Sequence, residues 1–139
     1  MAQAGSDGAT IEVSHENGIV TVAVQGRITP PVGDEVVRRG LETLRSTGAR
    51  ALLHDFRRAR IMETTLQLIR RIRFATDIGV PADVRVALLC SVRTPDVEFL
   101  ESLAQSHGVQ YRTFTDGAAA LEWLRAAGPA PTAPPPAAP

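Results

Sequence analysis

The sequence predicts an α/β domain: a single-layer mixed, mainly parallel sheet of about five strands, with an N-terminal β-hairpin and about four helices. Three observations carry that prediction. Short apolar runs alternate with helical stripes about three times along the chain, the pattern of a mainly parallel sheet. Asn17-Gly18 stands between two strand-like runs, and both residues tolerate the positive φ of a tight hairpin turn. The chain has 139 residues, 44% of them hydrophobic, enough for one core.

The elements follow in order. Residues 1–9 are small and polar and are expected to be disordered. Ile11 and Val13 mark the first strand, and Ile19 to Val24 the second, with Val20, Val22 and Val24 on one face. Residues 26–29 form an exit loop, and Thr29-Pro30 starts a helix that Gly48 ends, with Val37, Leu41 and Leu44 as its apolar stripe. Residues 51–56 are the central strand, followed by a basic loop, Arg57-Arg58-Ala59-Arg60. A second helix runs from Thr64 or Thr65 to Gly79. Its stripe of Leu68, Ile69, Ile72 and Ala75 faces the sheet; its opposite arc carries Arg70, Arg73 and Asp77 together with Leu66, Phe74 and Ile78, and Arg71 flanks that arc. Residues 84–90 form another inner strand. Thr94-Pro95 opens a third helix with Val97, Leu100, Leu103 and Ala104 inward, and Gly108 closes it. Residues 109–114 form the last strand, and Asp116 caps a final helix over 117–127. The domain therefore spans 10–127, and 128–139 is a Pro/Ala-rich tail that cannot build a core.

Composition excludes several function classes. Formal net charge is zero, which argues against a general nucleic-acid binder. All 15 positive residues are Arg, so Schiff-base chemistry and a Walker-type loop, both of which need a lysine, are excluded. One cysteine, Cys90, forbids an internal disulfide. The N-terminus lacks the features of a signal peptide, and no apolar run reaches the length of a membrane span, so a cytoplasmic protein is expected. The neutral total hides an asymmetry: residues 50–77 hold seven Arg against three acids, and the segments on either side are each net acidic.

Candidate chemical sites do not complete. Asp55 at a strand end invites a phosphoacceptor reading, but the further acids and the lysine that such a site needs are missing. His54-Asp55 is remote in sequence from His15 and His107, so no metal set is formed. Cys90 has no histidine placed to activate it. No nucleophile–base pair can be named, no cofactor is called for, and an enzyme is not expected.

Two motifs carry a family resemblance. Residues 109–124 read Val-Gln-Tyr-Arg-Thr-Phe-Thr-Asp-Gly-Ala-Ala-Ala-Leu-Glu-Trp-Leu, with Arg112, Phe114, Asp116, Ala120, Trp123 and Leu124 in a closing R-x-F-x-D-x-x-x-A-x-x-W-L element, and Leu52-Leu53-His54-Asp55-Phe56 forms a central strand-then-Asp element. Both resemble the SpoIIAA-like family, a branch of the STAS superfamily often grouped with SEC14-type lipid-binding folds. The resemblance covers residues 10–127 and implies a small, non-enzymatic regulatory or binding domain. Anti-sigma-factor antagonists of that family carry Asp-Ser-Ser-Gly at the start of the second helix, where the serine is phosphorylated. The matching residues here are Glu63-Thr64-Thr65-Leu66, so the resemblance implies Thr64 and Thr65 as candidate phosphorylation positions, while helix capping alone also accounts for a threonine there.

The expected function is thus protein binding, to a partner or to a second copy, through the surface of helix 64–79 and its preceding loop. The partner- or anion-binding residues are Arg57, Arg58, Arg60, Leu66, Arg70, Arg73, Phe74 and Ile78. The alternatives are a SEC14-like carrier of a lipid or small apolar ligand and a partner-switching phosphoswitch at Thr64 or Thr65.

Overall fold

The computed structural model describes residues 3–4 and 9–126. In chain order the elements are β1 (Gln3–Ala4), β2 (Thr10–Glu16), β3 (Ile19–Ile28), α1 (Pro30–Thr47), β4 (Ala51–Ile61), α2 (Thr65–Ile78), β5 (Arg85–Leu89), α3 (Pro95–Ser106), β6 (Gln110–Phe114) and α4 (Gly117–Arg125). They form one sheet whose spatial order follows the chain, β1-β2-β3-β4-β5-β6. β1, β2 and β3 pair antiparallel, and β3 to β6 are parallel neighbours.

The antiparallel start comes from the turn, where Asn17 (φ 54°) and Gly18 (φ 77°) both take the left-handed conformation that joins β2 to β3. Each later connection carries a helix back to the start of the next parallel strand, and crossovers of one hand put successive helices on one side. α1, α2 and α3 accordingly cover one face, where Val20, Val22, Val24, Leu52, Phe56, Val86 and Leu88 meet Val36, Leu41, Leu68, Ile72, Val97 and Leu100. α4 covers part of the other face, with Ala120 and Leu124 on Ile19, Ala51, Leu53, Ala87 and Leu89.

The five expected strands are β2 to β6; β1 adds a sixth at the edge, within the stretch expected to be disordered. Apart from Gln3, Ala4 and the buried Ala9, residues 1–9 lie outside the described residues, as do Ala127 and the tail 128–139. Two loops expected from their polarity are strand instead. β3 continues to Ile28 and β4 to Ile61, because Gly26, Arg27 and Ile28 pair with Ala59, Arg60 and Ile61 after a bulge in which β4 gains a residue on β3. The arginines of the supposed basic loop therefore sit on a paired strand.

The β6 edge is closed by α3. Glu101 accepts the Thr113 N–H (2.7 Å), Arg93 donates to the Thr113 carbonyl (3.0 Å) and to Glu101 (2.9 Å), and Gln105 donates to the Tyr111 carbonyl (2.8 Å). Side chains thereby occupy backbone groups that another strand would use.

Candidate functional site at the carboxyl ends of β4 and β5

β5 ends at Leu89, opposite Asp55, while β4 runs on to Ile61. A sheet whose strand order follows the chain has no reversal point at which helices diverge to leave a crevice. Here the difference in strand length opens one instead. A groove of about 550 Å³ lies between the projecting end of β4 and the start of α3, lined among others by Arg57, Arg60, Met62, Cys90, Val92 and Val97.

Among the described residues the exposed large apolar side chains are Met62 (46% exposed), Leu66 (56%) and Val92 (67%). All three lie just past the carboxyl ends of β4 and β5: Met62 before α2, Leu66 in its first turn and Val92 before α3. Scattered exposed apolar residues need no explanation; these three share one end of the sheet.

The charges at this end are largely uncompensated. Asp55 is held by Arg57 through Nε (2.9 Å), Nη2 (2.8 Å) and the backbone N–H (3.2 Å), and these bonds keep its carboxyl below the usual range. Arg27, Arg58 and Arg60 are exposed and have no ion-pair or hydrogen-bond partner among the described residues. Arg27 and Arg60 are cross-strand neighbours, an arrangement that costs repulsion unless an anion is shared. Ser91 reaches back to donate to the Arg57 carbonyl at 2.8 Å.

The loop into α2 is fixed from two sides. Thr64 accepts the Gln67 N–H (3.2 Å) and Gln67 accepts the Thr64 N–H (2.9 Å), a complete capping box. Glu63, whose side chain is 1% exposed, turns inward to pair with Arg71, itself 7% exposed. The Arg71 guanidinium lies against Gly33 of α1, leaving no room for a Cβ there. Burial pushes the Glu63 carboxyl pKa up, Arg71 opposes that rise and Asp34 adds to it. Burial, reinforced by the Arg71 charge, lowers the His54 imidazole to about 4. Burial also raises the Tyr111 phenol. Arg71 Nε and His54 Nε2 have no hydrogen-bond partner among the described residues. His54, Arg71 and Tyr111 line a pocket of about 60 Å³ whose walls are otherwise almost wholly apolar.

The expected site residues therefore divide into groups. Arg57, Arg58, Arg60, Leu66, Thr64 and Thr65 lie at the carboxyl end. Arg70 and Arg73 are exposed on the body of α2. Phe74 and Ile78 do not form an exposed arc with Leu66, because α2 lies beside α1: both are half-buried on the core, Arg38 covers the Phe74 ring at 5.8 Å, and Arg45 donates to the Ile78 carbonyl at 2.9 Å. Sequence reasoning missed Met62 and Val92, although a large apolar residue between a strand end and a helix cap was a usable signal. It also missed the inward turn of Glu63 and Arg71. Cys90 is buried, burial raises its thiol pKa, and Sγ lies 3.6 Å from the Phe114 carbonyl. No group of His, Cys, Asp and Glu suited to a metal occurs among the described residues, and none of their helices is long and apolar enough to cross a membrane.

No protein-family model matches this sequence, and neither does any curated protein. Solved structures do match the fold. An anti-sigma factor antagonist from Mycobacterium paratuberculosis superposes with a TM-score of 0.61 at 16% identity, over 88% of this chain and 99% of that one. The anti-sigma factor antagonist SpoIIAA in its unphosphorylated form gives 0.52 at 14%, over 83% and 97%. An uncharacterised protein from Shewanella loihica PV-4 gives 0.51 at 16%, over 84% and 93%. Sequential parallel strands behind an antiparallel hairpin, with three helices on one face and one on the other, give this chain the SpoIIAA-like fold.

Proposed function

We propose that this chain is a non-catalytic regulatory domain that binds a protein partner at the carboxyl ends of β4 and β5. The observation that carries the reading is a groove with exposed Met62 and Val92 in its lining, with exposed Leu66 at the same end of the sheet and Arg27, Arg58 and Arg60 without ion-pair partners among the described residues. Apolar anchors with Arg nearby are the composition of a protein interface. Arg57, Arg58 and Arg60 serve this surface; Arg70, Arg73, Phe74 and Ile78 lie outside its centre. The matched anti-sigma factor antagonists make an anti-sigma factor the first partner class to try.

The test is a binding series against the anti-sigma factors encoded in the source genome, using wild type, Met62→Asp, Leu66→Asp and, as a control, Arg70→Glu. The two aspartate variants should weaken binding by about tenfold or more, some 1.4 kcal/mol, with Arg70→Glu close to wild type. Equal binding by all three variants would remove the surface from consideration.

A phosphoswitch is the second reading. Thr64 is exposed at a helix N-terminus, where backbone N–H groups favour an anion. A phosphate there would displace the capping box and bring negative charge beside Glu63. Incubation with the genome's anti-sigma kinases and mass spectrometry of Thr64 and Thr65 tests it. The carrier reading has less support: the apolar pocket of about 60 Å³ falls far below the roughly 300 Å³ or more of a small-molecule pocket, and the larger groove is open and carries Arg57, Arg60 and Asp96 in its lining.

A further inference from the structure

The groove beside β4 lies where β5 would continue if it matched β4 in length. Met62 donates its N–H to the Ile28 carbonyl (2.9 Å), so its backbone points toward β3. Arg57 presents its carbonyl to the opposite side, where Ser91 Oγ meets it (2.8 Å). Backbone groups alternate sides along a strand in a parallel ladder. The N–H and C=O of Ala59 and Ile61 therefore face the β5 side, beyond the last residue of β5. An unpaired strand edge is a template for another strand.

The side chains along this edge also alternate. Ala59 and Ile61 are half-buried on the helix-covered core, beside Phe56 and Val97. Arg58 and Arg60 point to the opposite face, which α4 leaves uncovered at this end; Arg27 joins them from β3. The acid lining the groove is Asp96, on the α3 wall, and among the described residues it makes no ion pair with those arginines.

We propose that residues 57–61 of β4 accept an extended segment of a partner protein as an added strand, and that this segment alternates apolar and acidic residues. The apolar side chains enter the groove toward Val92 and Val97; the acidic ones meet Arg58, Arg60 and Arg27. The proposal rests on the reading of this end as the protein-binding surface. Charge complementarity selects the occupant. A second copy joined edge to edge by a two-fold axis would set Arg57, Arg58 and Arg60 against themselves. The chain's own residues 127–139 hold no acidic residue and are rich in proline, which has no N–H to donate. Strand addition supplies affinity through the backbone and specificity through alternate side chains.

The probe is a labelled eight-residue peptide alternating Val and Glu, compared with its block rearrangement of four Glu then four Val. Fluorescence anisotropy should show the alternating peptide binding about tenfold or more tighter. Ala59→Pro, which removes an N–H that no strand of the fold uses, should keep the thermal midpoint and lose binding; Arg58→Glu with Arg60→Glu should lose it as well. On binding, amide exchange at Ala59 and Ile61 should slow by about tenfold or more, with Arg60 and Met62 unchanged. Equal affinity for the block peptide, full binding by Ala59→Pro, or unchanged exchange at Ala59 and Ile61 would overturn strand addition. If Met62→Asp still abolishes binding of a protein partner in that case, the docking surface stands and only the strand is lost.

Discussion

The guanidinium of Arg71 lies where a side chain on Gly33 would have to begin. α1 and α2 come together most tightly at that contact, and Glu63 neutralises the buried charge from the loop before α2. Gly33→Ala should force Arg71 out of place and cost about 3 kcal/mol, the scale of overpacking combined with damage to a buried pair. Urea denaturation of the variant and wild type measures it.

The pair itself separates two kinds of loss. Glu63→Ala leaves a buried cation without its partner and should destabilise by about 3–5 kcal/mol. Replacing both ends, Glu63→Leu with Arg71→Met, should come within about 1 kcal/mol of wild type, since both groups then suit an apolar site. A double variant as unstable as the single one would show that the pair holds α2 in place by more than charge balance.

His54 sets the response to mild acid. Folded, its pKa is about 4; unfolded, it returns to 6.5. Between those values the unfolded chain binds the extra proton, so stability falls as the pH drops from 6.5 toward 4. The full loss is about 3 kcal/mol for a shift of that size. Glu63, raised by burial, acts in the opposite sense, because the folded state then takes up its proton more readily. Asp55, held low by Arg57, loses its contribution only as the pH falls below the ordinary carboxylate range. Thermal midpoints between pH 7.5 and 5 should therefore slope down in wild type and flatten in His54→Leu.

The capping box at Thr64 has its own signature. Thr64→Ala should cost about 1 kcal/mol and Thr64→Ser only a few tenths, read as the shift in the denaturation midpoint. A Thr64→Ala variant that keeps full stability would show that Glu63 and Arg71 alone fix the loop.

Glu101 and Arg93 guard the β6 edge. Glu101→Ala with Arg93→Ala frees the Thr113 N–H and carbonyl, and the variant should self-associate at concentrations where wild type is monodisperse by light scattering.

How much of this was legible follows from what each residue does locally. Asn17-Gly18, the Thr94 and Asp116 caps and the alternation of apolar runs act within a few residues, so the order of elements and their approximate bounds could be read in advance. The length of β4 could not. Arg57 to Arg60 are polar enough to look like a loop, and only pairing of Arg58, Ala59 and Arg60 with Gln25, Gly26 and Arg27 makes them a strand. Arg71 was hidden for a similar reason: arginine is seldom buried, and its partners Glu63 and Gly33 are local to other elements. Phe74 and Ile78 lay on the arc opposite the main stripe, but a helix flanked by another helix buries more than one stripe. The groove came from two strands of unequal length, a comparison that no single segment contains.

The strand order bears on how the chain is made. Because each strand from β2 onward lies beside the one synthesised before it, the sheet can lengthen as the chain leaves the ribosome, with no insertion between strands already paired. Every intermediate length then ends in a fresh, unpaired border. Only the final strand carries the Glu101, Arg93 and Gln105 bonds, so the growing sheet is closed by its last helix–strand unit, and a nascent chain released before β6 would emerge without that stop.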